Sequence, residues 1–219
     1  MKSEAVKSKS SRSASSSGTP PQAVLRLIKN RRTVRSFQRK PVPPAALKRI
    51  LEAGNWAPFS IYAPQGRQLF ALVGAERDAA VEIVRQCPTV VKYMRFQYDA
   101  APYGHEQAWM EKAHEFGQTL GGAPVLIVTV AKVAQQRLSM MHNMAAAWVA
   151  AENMMIQAAA EGLATGVITF STPKVQAALL QQLGLASGEW VVANVLNVGY
   201  PAETPNRQQR AQELIVIRG

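Results

Sequence analysis

Apolar residues recur along this chain in blocks whose spacing alternates between a helical and a strand-like period. Val24, Leu25 and Ile28 recur at helical spacing and predict a short helix that runs straight into NRRTVRSF. VPPAALKRILEAG predicts a second helix, with prolines in its first turn, apolar Leu47, Ile50 and Leu51, and Gly54 near its end. QLFALVG reads as a buried strand and AERDAAVEIVRQ as a helix, while residues 87–104 are irregular and aromatic and HEQAWMEKAHEF looks helical with a weak apolar face. GGAPVLIVTVAK is continuous and β-branched, as expected of a strand covered on both faces. From Met140 to Gly162 the pattern is apolar nearly all round, which predicts one long central helix buried on several sides, a second subunit being one candidate cover. LATGVITF, TPKVQAALLQQLG and WVVANVLNVGYP then read as strand, helix and strand, and ELIVI is a closing apolar run. Helices and strands alternating in one compact chain imply a sheet with helices packed on it, of α+β or α/β class.

Charge changes this picture at one place. The net charge is +11, and nine basic side chains lie from Arg26 to Arg49 with no acidic one among them. Residues 1–20 add three more positive charges and the remainder is close to neutral. A nucleic-acid binder more often spreads its basic stripe over a face with aromatics for stacking, so nucleic acid is an unlikely partner. The Ser/Lys-rich residues 1–20 lack an apolar core segment, which fits a disordered tail better than a secretory signal, and leaves residues 21–219 as one domain. Cys87 is the single cysteine, so no internal disulfide forms and a reducing, cytoplasmic setting is expected. The longest strictly apolar run, MAAAWVAA, is too short to span a bilayer, and His142, Asn143, Glu152, Asn153 and Gln157 make the long helix a poor membrane span.

Motifs that would supply chemistry from the protein itself are missing. No GxGxxG follows a strand, and neither GxxxxGK[ST] nor GxSxG occurs. His105, His114 and His142 lack zinc-site spacing and there is no CxxC, so no metal site is expected. An enzyme with this sequence would rely on a cofactor for its chemistry. Arg31, Arg32 and Arg35 are the candidates for holding one. In an extended segment Arg31, Thr33 and Arg35 would share a face over ~13 Å, a reach that suits a ligand with a phosphate at one end and an electron-rich group at the other. The competing reading is a solvated basic turn that complements the C-terminus of the preceding helix.

The order of RRTVRSF, VPPAALKRILEAGNWAP, a strand, a long helix ending in EGLATG, and NVGYPAE followed by arginines and an apolar run resembles the nitroreductase family of FMN-dependent oxidoreductases. The resemblance covers residues 21–219, and RRTVR is most similar to the RRSVR stretch of the iodotyrosine deiodinase-like branch. It implies an α+β sandwich with a central mixed sheet flanked by helices and the long helix at a homodimer interface. It also implies bound FMN, NAD(P)H as transient electron donor, and a small electrophilic acceptor such as a nitroaromatic or quinone. By position, Arg31, Arg32 and Thr33 would hold the FMN phosphate and ribityl arm, and Arg35 would lie near flavin N1 and the C2 carbonyl. Pro58, Phe59 and Ser60 would lay the loop after Ala57 against the flavin, often that of the partner subunit, with Gln65 further along it. Val167, Ile168 and Thr169 would bring a backbone N–H to flavin N5, and Arg207 or Arg210 would close on the phosphate. Arg35 and Thr169 are thus the residues expected nearest the reacting ring. APFSIYAPQGRQLF departs from the family's Asn and Gln-Pro-Trp pattern, and the aromatic segment 90–116 falls where relatives carry a variable lid. Alternatives from the same resemblance are a reductive dehalogenase or a flavin-consuming enzyme. A different class is a flavin- or nucleic-acid-binding protein without turnover.

Overall fold

A computed structural model describes residues 21–60, 66–86, 115–169, 172–205 and 216. The strands are β1 (Arg67–Val73), β2 (Val125–Lys132), β3 (Ala164–Ile168) and β4 (Trp190–Gly199), ordered β1-β2-β4-β3 in one sheet. All three strand pairs are antiparallel. Among the described residues the sheet expected to be mixed is thus antiparallel in its strands, and a parallel pairing occurs as an isolated bridge between Thr33 and Thr165 at the outer edge of β3. The helices are α1 (Pro21–Asn30), α2 (Pro44–Asn55), α3 (Gly74–Arg85), α4 (Arg137–Ala160) and α5 (Pro173–Gln182).

Alternation along β2 explains the layering. Leu126, Val128 and Val130 face one way and join a core with Val81 and Val84 of α3 and Leu179 and Leu180 of α5. Val125 and Ile127 face the other way and join Ile50 of α2 with Ala151, Met154 and Met155 of α4. Every residue of β2 before Lys132 is buried, as its continuous β-branched run predicts. α2 lies close on α4 because Gly54 has no side chain; a Cβ there would stand 2.7 Å from Met154 Cγ. The same contact is tied by Asn153 Nδ2 donating to Ala53 O at 3.1 Å. At its other end Arg49 donates to both carboxylate oxygens of Glu161, at 2.6 and 2.7 Å.

The long helix starts three residues before Met140, at Arg137, because Arg137 and Ser139 interrupt the apolar run on either side of Leu138. It buries Asn143, Ala146, Ala147, Ala150, Ala151, Met154, Met155 and Ala158. Another stripe, Leu138, Met141, Trp148 and Val149, stays exposed, as do Val24, Leu25 and Ile28 of α1. The helix expected over 105–116 and the closing run ELIVI fall outside the described residues, apart from a helical turn at 115–119 and Val216.

Candidate functional site

The arginine segment lies along the free edge of β3. Thr33 bridges Thr165 in parallel, and Val34 N–H donates to Thr165 O at 2.9 Å, so the segment runs in the direction of Ile168. Val34 and Phe37 are buried and anchor it, while Arg31, Thr33 and Arg35 are half-buried. Strict alternation ends there, since the next buried residue after Val34 is Phe37 and not Ser36. Two glycines make the close approach possible. A Cβ on Gly166 would run into the Val34 carbonyl oxygen, and one on Gly121 into that of Arg35.

Gly121 belongs to a left-handed run, with φ of 51° at Leu120, 72° at Gly121 and 71° at Gly122. Such a φ is strained for leucine, and it is held because Leu120 is fully buried in the core under α3 and α5. The run turns its carbonyls to use: Asn197 Nδ2 donates to Leu120 O at 2.5 Å, and Phe37 N–H donates to Gly121 O at 2.9 Å.

A second tie comes from the end of β4. Glu203 Oε1 accepts the N–H of Arg35 at 2.6 Å and that of Ser36 at 3.1 Å. Around it, Ala202 N–H donates to Ser36 O, Gln38 N–H to Tyr200 O and Gln38 Nε2 to Pro201 O, each at 2.9 Å. Lys40 Nζ sits 4.1 Å over the Tyr200 ring. NVGYPAE therefore works as a clasp on RSFQRK.

The arginines differ in how far their donors are spent. Arg32 turns back on α1, where Nη1 donates to Lys29 O and Arg31 O, both at 2.8 Å, so this side chain complements the helix C-terminus. Arg31 Nε lies 3.3 Å from Glu152 Oε1 without hydrogen-bond alignment, and the buried Nε–H has no acceptor among the described residues. The Arg35 guanidinium makes no hydrogen bond or ion pair among the described residues, although its backbone is held tightly.

At the far end of the edge, Val167 and Ile168 close β3 and the exposed Thr169 follows. Thr165 turns its carbonyl outward to Val34, and backbone groups alternate along a strand, so Val167 turns its N–H and C=O to the same open edge. Ile168 turns its own toward β4. Of the three expected backbone donors, the alternation favours Val167, with Thr169 next in phase.

The loop after α2 carries Pro58, Phe59 and Ser60. Ala57 is buried beneath it, while Pro58 and Phe59 are exposed and Ser60 is intermediate. Arg67, which sequence reasoning missed, holds this loop: it donates to the carbonyls of Pro58 at 2.9 Å, Ala57 at 2.5 Å and Asn55 at 3.1 Å. Burial lowers its pKa from the ordinary arginine value. The only sequence signal was a lone arginine at the mouth of an apolar strand. Glu203 was also missed, though it stands inside the NVGYPAE motif. Gln65, Arg207 and Arg210 lie outside the described residues, as does the 90–114 part of the expected lid. Among the described residues no cluster of His, Cys, Asp and Glu could hold a metal ion, and no helix is long and apolar enough to cross a membrane.

This arrangement has counterparts among known proteins. YfhC of Bacillus subtilis (strain 168), provisionally named an NAD(P)H nitroreductase, is 26% identical over 193 residues, covering 86% of this chain and 90% of that protein. A nitroreductase with bound FMN from Bacteroides fragilis superposes with a TM-score of 0.65 at 24% identity, over 90% of this chain and 98% of the other. The FMN-dependent nitroreductase NfnB from Mycobacterium smegmatis, in complex with NADPH, gives a TM-score of 0.69 at 17% identity, over 90% and 98% of the two chains. At such identities the structural likeness is one of fold. The model of the nitroreductase family itself matches residues 28–200, from the end of α1 to the close of β4, and the chain belongs to that family.

Proposed function

We propose that the protein is an FMN-dependent oxidoreductase that takes reducing equivalents from NAD(P)H and delivers them to a small electrophilic acceptor, such as a nitroaromatic or a quinone. The observation that carries this reading is the edge of β3, where Arg31 and Arg35 keep donors unspent beside the outward-facing N–H of Val167. Guanidinium groups suit phosphate oxygens, and an open backbone N–H suits a ring acceptor, so the two kinds of donor fit the two ends of FMN. The solved neighbours from Bacteroides fragilis and Mycobacterium smegmatis, one with FMN and one an FMN-dependent enzyme with NADPH, support the same choice.

Bound FMN supplies the two-electron chemistry between NAD(P)H and the acceptor. The chain's own residues bind and orient. Arg31 and Thr33 hold the phosphate and ribityl arm, joined from the C-terminal side by Arg207 or Arg210. Arg35 faces the ring, where a cation favours added electrons. Val167 or Thr169 donates a backbone N–H to the ring, and Pro58, Phe59 and Ser60 wall it. The exposed Leu138, Met141, Trp148 and Val149 of α4, and Val24, Leu25 and Ile28 of α1, which packs on α4, support a homodimer, since exposed apolar patches mark interaction surfaces.

Purification tests the reading first: the protein is expected to be yellow and to release FMN, and a colourless protein that cannot be loaded with FMN contradicts it. Potentiometry tests the placement of Arg35. Arg35→Met is expected to lower the flavin midpoint, by ~30 mV for each 1.4 kcal/mol of lost differential stabilisation, while much of the FMN stays bound. An unchanged midpoint would remove Arg35 from the ring.

A further inference from the structure

After α2, residues 56–60 include two exposed aromatic residues, Trp56 at 79% and Phe59 at 54% exposure, and lie outside any helix or strand. Their polar backbone is nevertheless gathered onto one side chain. Arg67 Nη2 donates to Ala57 O at 2.5 Å, Asn55 O at 3.1 Å and, more weakly, Gly54 O at 3.4 Å. Nη1 donates to Pro58 O at 2.9 Å and Ala146 O of α4 at 3.4 Å. Five carbonyls, from the end of α2, the loop and α4, therefore converge on one guanidinium.

The chemistry of the partners matters as much as their number. The carbonyls of Gly54 and Asn55 lie in the last turn of α2, at the negative end of its dipole, and Gly54 O also accepts the N–H of Ala57 at 3.2 Å. A cation placed there satisfies them and is itself stabilised, which offsets its burial in place of a carboxylate; Arg67 has no ion-pair partner among the described residues. The planar fork can bond several carbonyls at once, whereas a lysine ammonium is a point donor. Arg67 is also pinned from behind, because it opens β1 opposite Ala131 of β2 and the adjacent Gly66 O accepts from Lys132 N–H at 2.9 Å. The sheet thus holds the guanidinium, and the guanidinium holds the loop.

We propose that Arg67 is a positioning residue for the cofactor: it fixes Ala57 and Pro58 so that Pro58, Phe59 and Ser60 meet the flavin in one conformation. This rests on the reading of the loop as a wall of the FMN site. It assigns to Arg67 a role that goes beyond capping α2, because Ala57 O and Pro58 O lie past the helix end.

The test uses the full chain as wild type, Arg67→Met and Arg67→Lys, and combines hydrogen exchange without added cofactor with FMN titration followed by visible circular dichroism. Arg67→Met is expected to speed exchange over residues 56–60 by about tenfold while residues 147–158 of α4 are unchanged. It is also expected to weaken FMN binding by roughly tenfold and to alter the dichroism of the bound flavin. Arg67→Lys should fall between, since it keeps the charge and loses the fork. If Arg67→Met does not fold, the lysine variant carries the same comparison. Unchanged exchange at 56–60 would overturn the clamp. Faster exchange with unchanged FMN affinity and dichroism would overturn its role toward the cofactor and leave a helix cap. If the wild type itself binds no FMN, the cofactor reading fails and the proposal with it, and the exchange data still show separately whether the loop is clamped.

Discussion

Arg31 and Arg49 belong to the same basic stretch, yet they end in opposite situations. Arg49 sits on α2 and is paired: Nε and Nη2 donate to the two oxygens of Glu161, which also accepts from Gln157 Nε2 at 2.9 Å. Arg31 stands past the end of α1 with a buried Nε that has no hydrogen-bond acceptor among the described residues, and Glu152 beside it out of alignment. The local charge excess is therefore not itself the functional signal. Part of it ties α2 to α4, part caps α1 through Arg32, and the proposed cofactor site draws on the donors that Arg31 and Arg35 keep at the β3 edge. Glu152 balances the Arg31 charge at 3.3 Å, but a buried Nε–H without an aligned acceptor is costly, and an aligned phosphate oxygen would recover that cost.

The largest effect should come from breaking the bed on which the edge arginines lie. Gly121→Val places a β-branched side chain at a φ of 72° and drives it into the Arg35 carbonyl. The backbone strain alone is about 1–3 kcal/mol. The expected outcome is a lowered unfolding midpoint together with loss of FMN binding, whereas Gly184→Val, also at positive φ but facing open space, should lower the midpoint and spare the cofactor. Equal effects on FMN in the two variants would mean that the segment's seat on Gly121 is not functional.

A smaller change loosens the same segment from the other side. Glu203→Ala leaves the N–H groups of Arg35 and Ser36 without their acceptor and should cost roughly 1–3 kcal/mol. FMN affinity should fall with it. Glu203→Gln keeps an oxygen and should recover part of the loss, since a neutral acceptor is about half as strong as a charged one. Denaturant titration and flavin fluorescence of both variants check this, and no difference between alanine and wild type would remove the clasp from the account.

The smallest effect belongs to the paired arginine. The Arg49 hydrogen bond, the largest cause, with Gln157 and the Arg49 charge, lowers the Glu161 pKa from 4.5 to about 2. Because the folded value is depressed, this contribution is complete above the unfolded pKa and is lost as pH falls from 4.5 toward 2. Glu161→Gln should flatten the acid dependence of unfolding in that window and lower stability near neutral pH by the same small amount, as expected for an exposed pair. An acid profile identical to wild type would show that the pair is not linked to folding.

Much of the frame was legible because each element carries one dominant period. The unbroken run of β2, the proline start of α2 and the nearly all-apolar α4 each allowed one reading. The edge arginines were legible as a cluster, and the roles proposed for them come from their order along the family's motifs. Sequence could not separate Arg32 from Arg31, because which one turns back to the helix end is decided by side-chain rotamers at a single turn. It could not reveal Glu203 under Arg35, since those residues are 168 positions apart and the bond is to backbone, which leaves no charge pattern. Arg67 was hidden for the same reason: its partners are carbonyls, and every residue has one.

The central claim is that the unmatched arginines of the β3 edge, and not the basic stretch as a whole, hold the cofactor. Titration of FMN into wild type, Arg31→Met and Arg49→Met tests it most directly, because each variant removes one positive charge from the same stretch. Arg31→Met is predicted to weaken binding by roughly 1.5–3 kcal/mol, the worth of a hydrogen bond to a charged group, and Arg49→Met to leave the affinity within about twofold of wild type. Equal losses in the two variants, or unchanged affinity in Arg31→Met, would contradict the account.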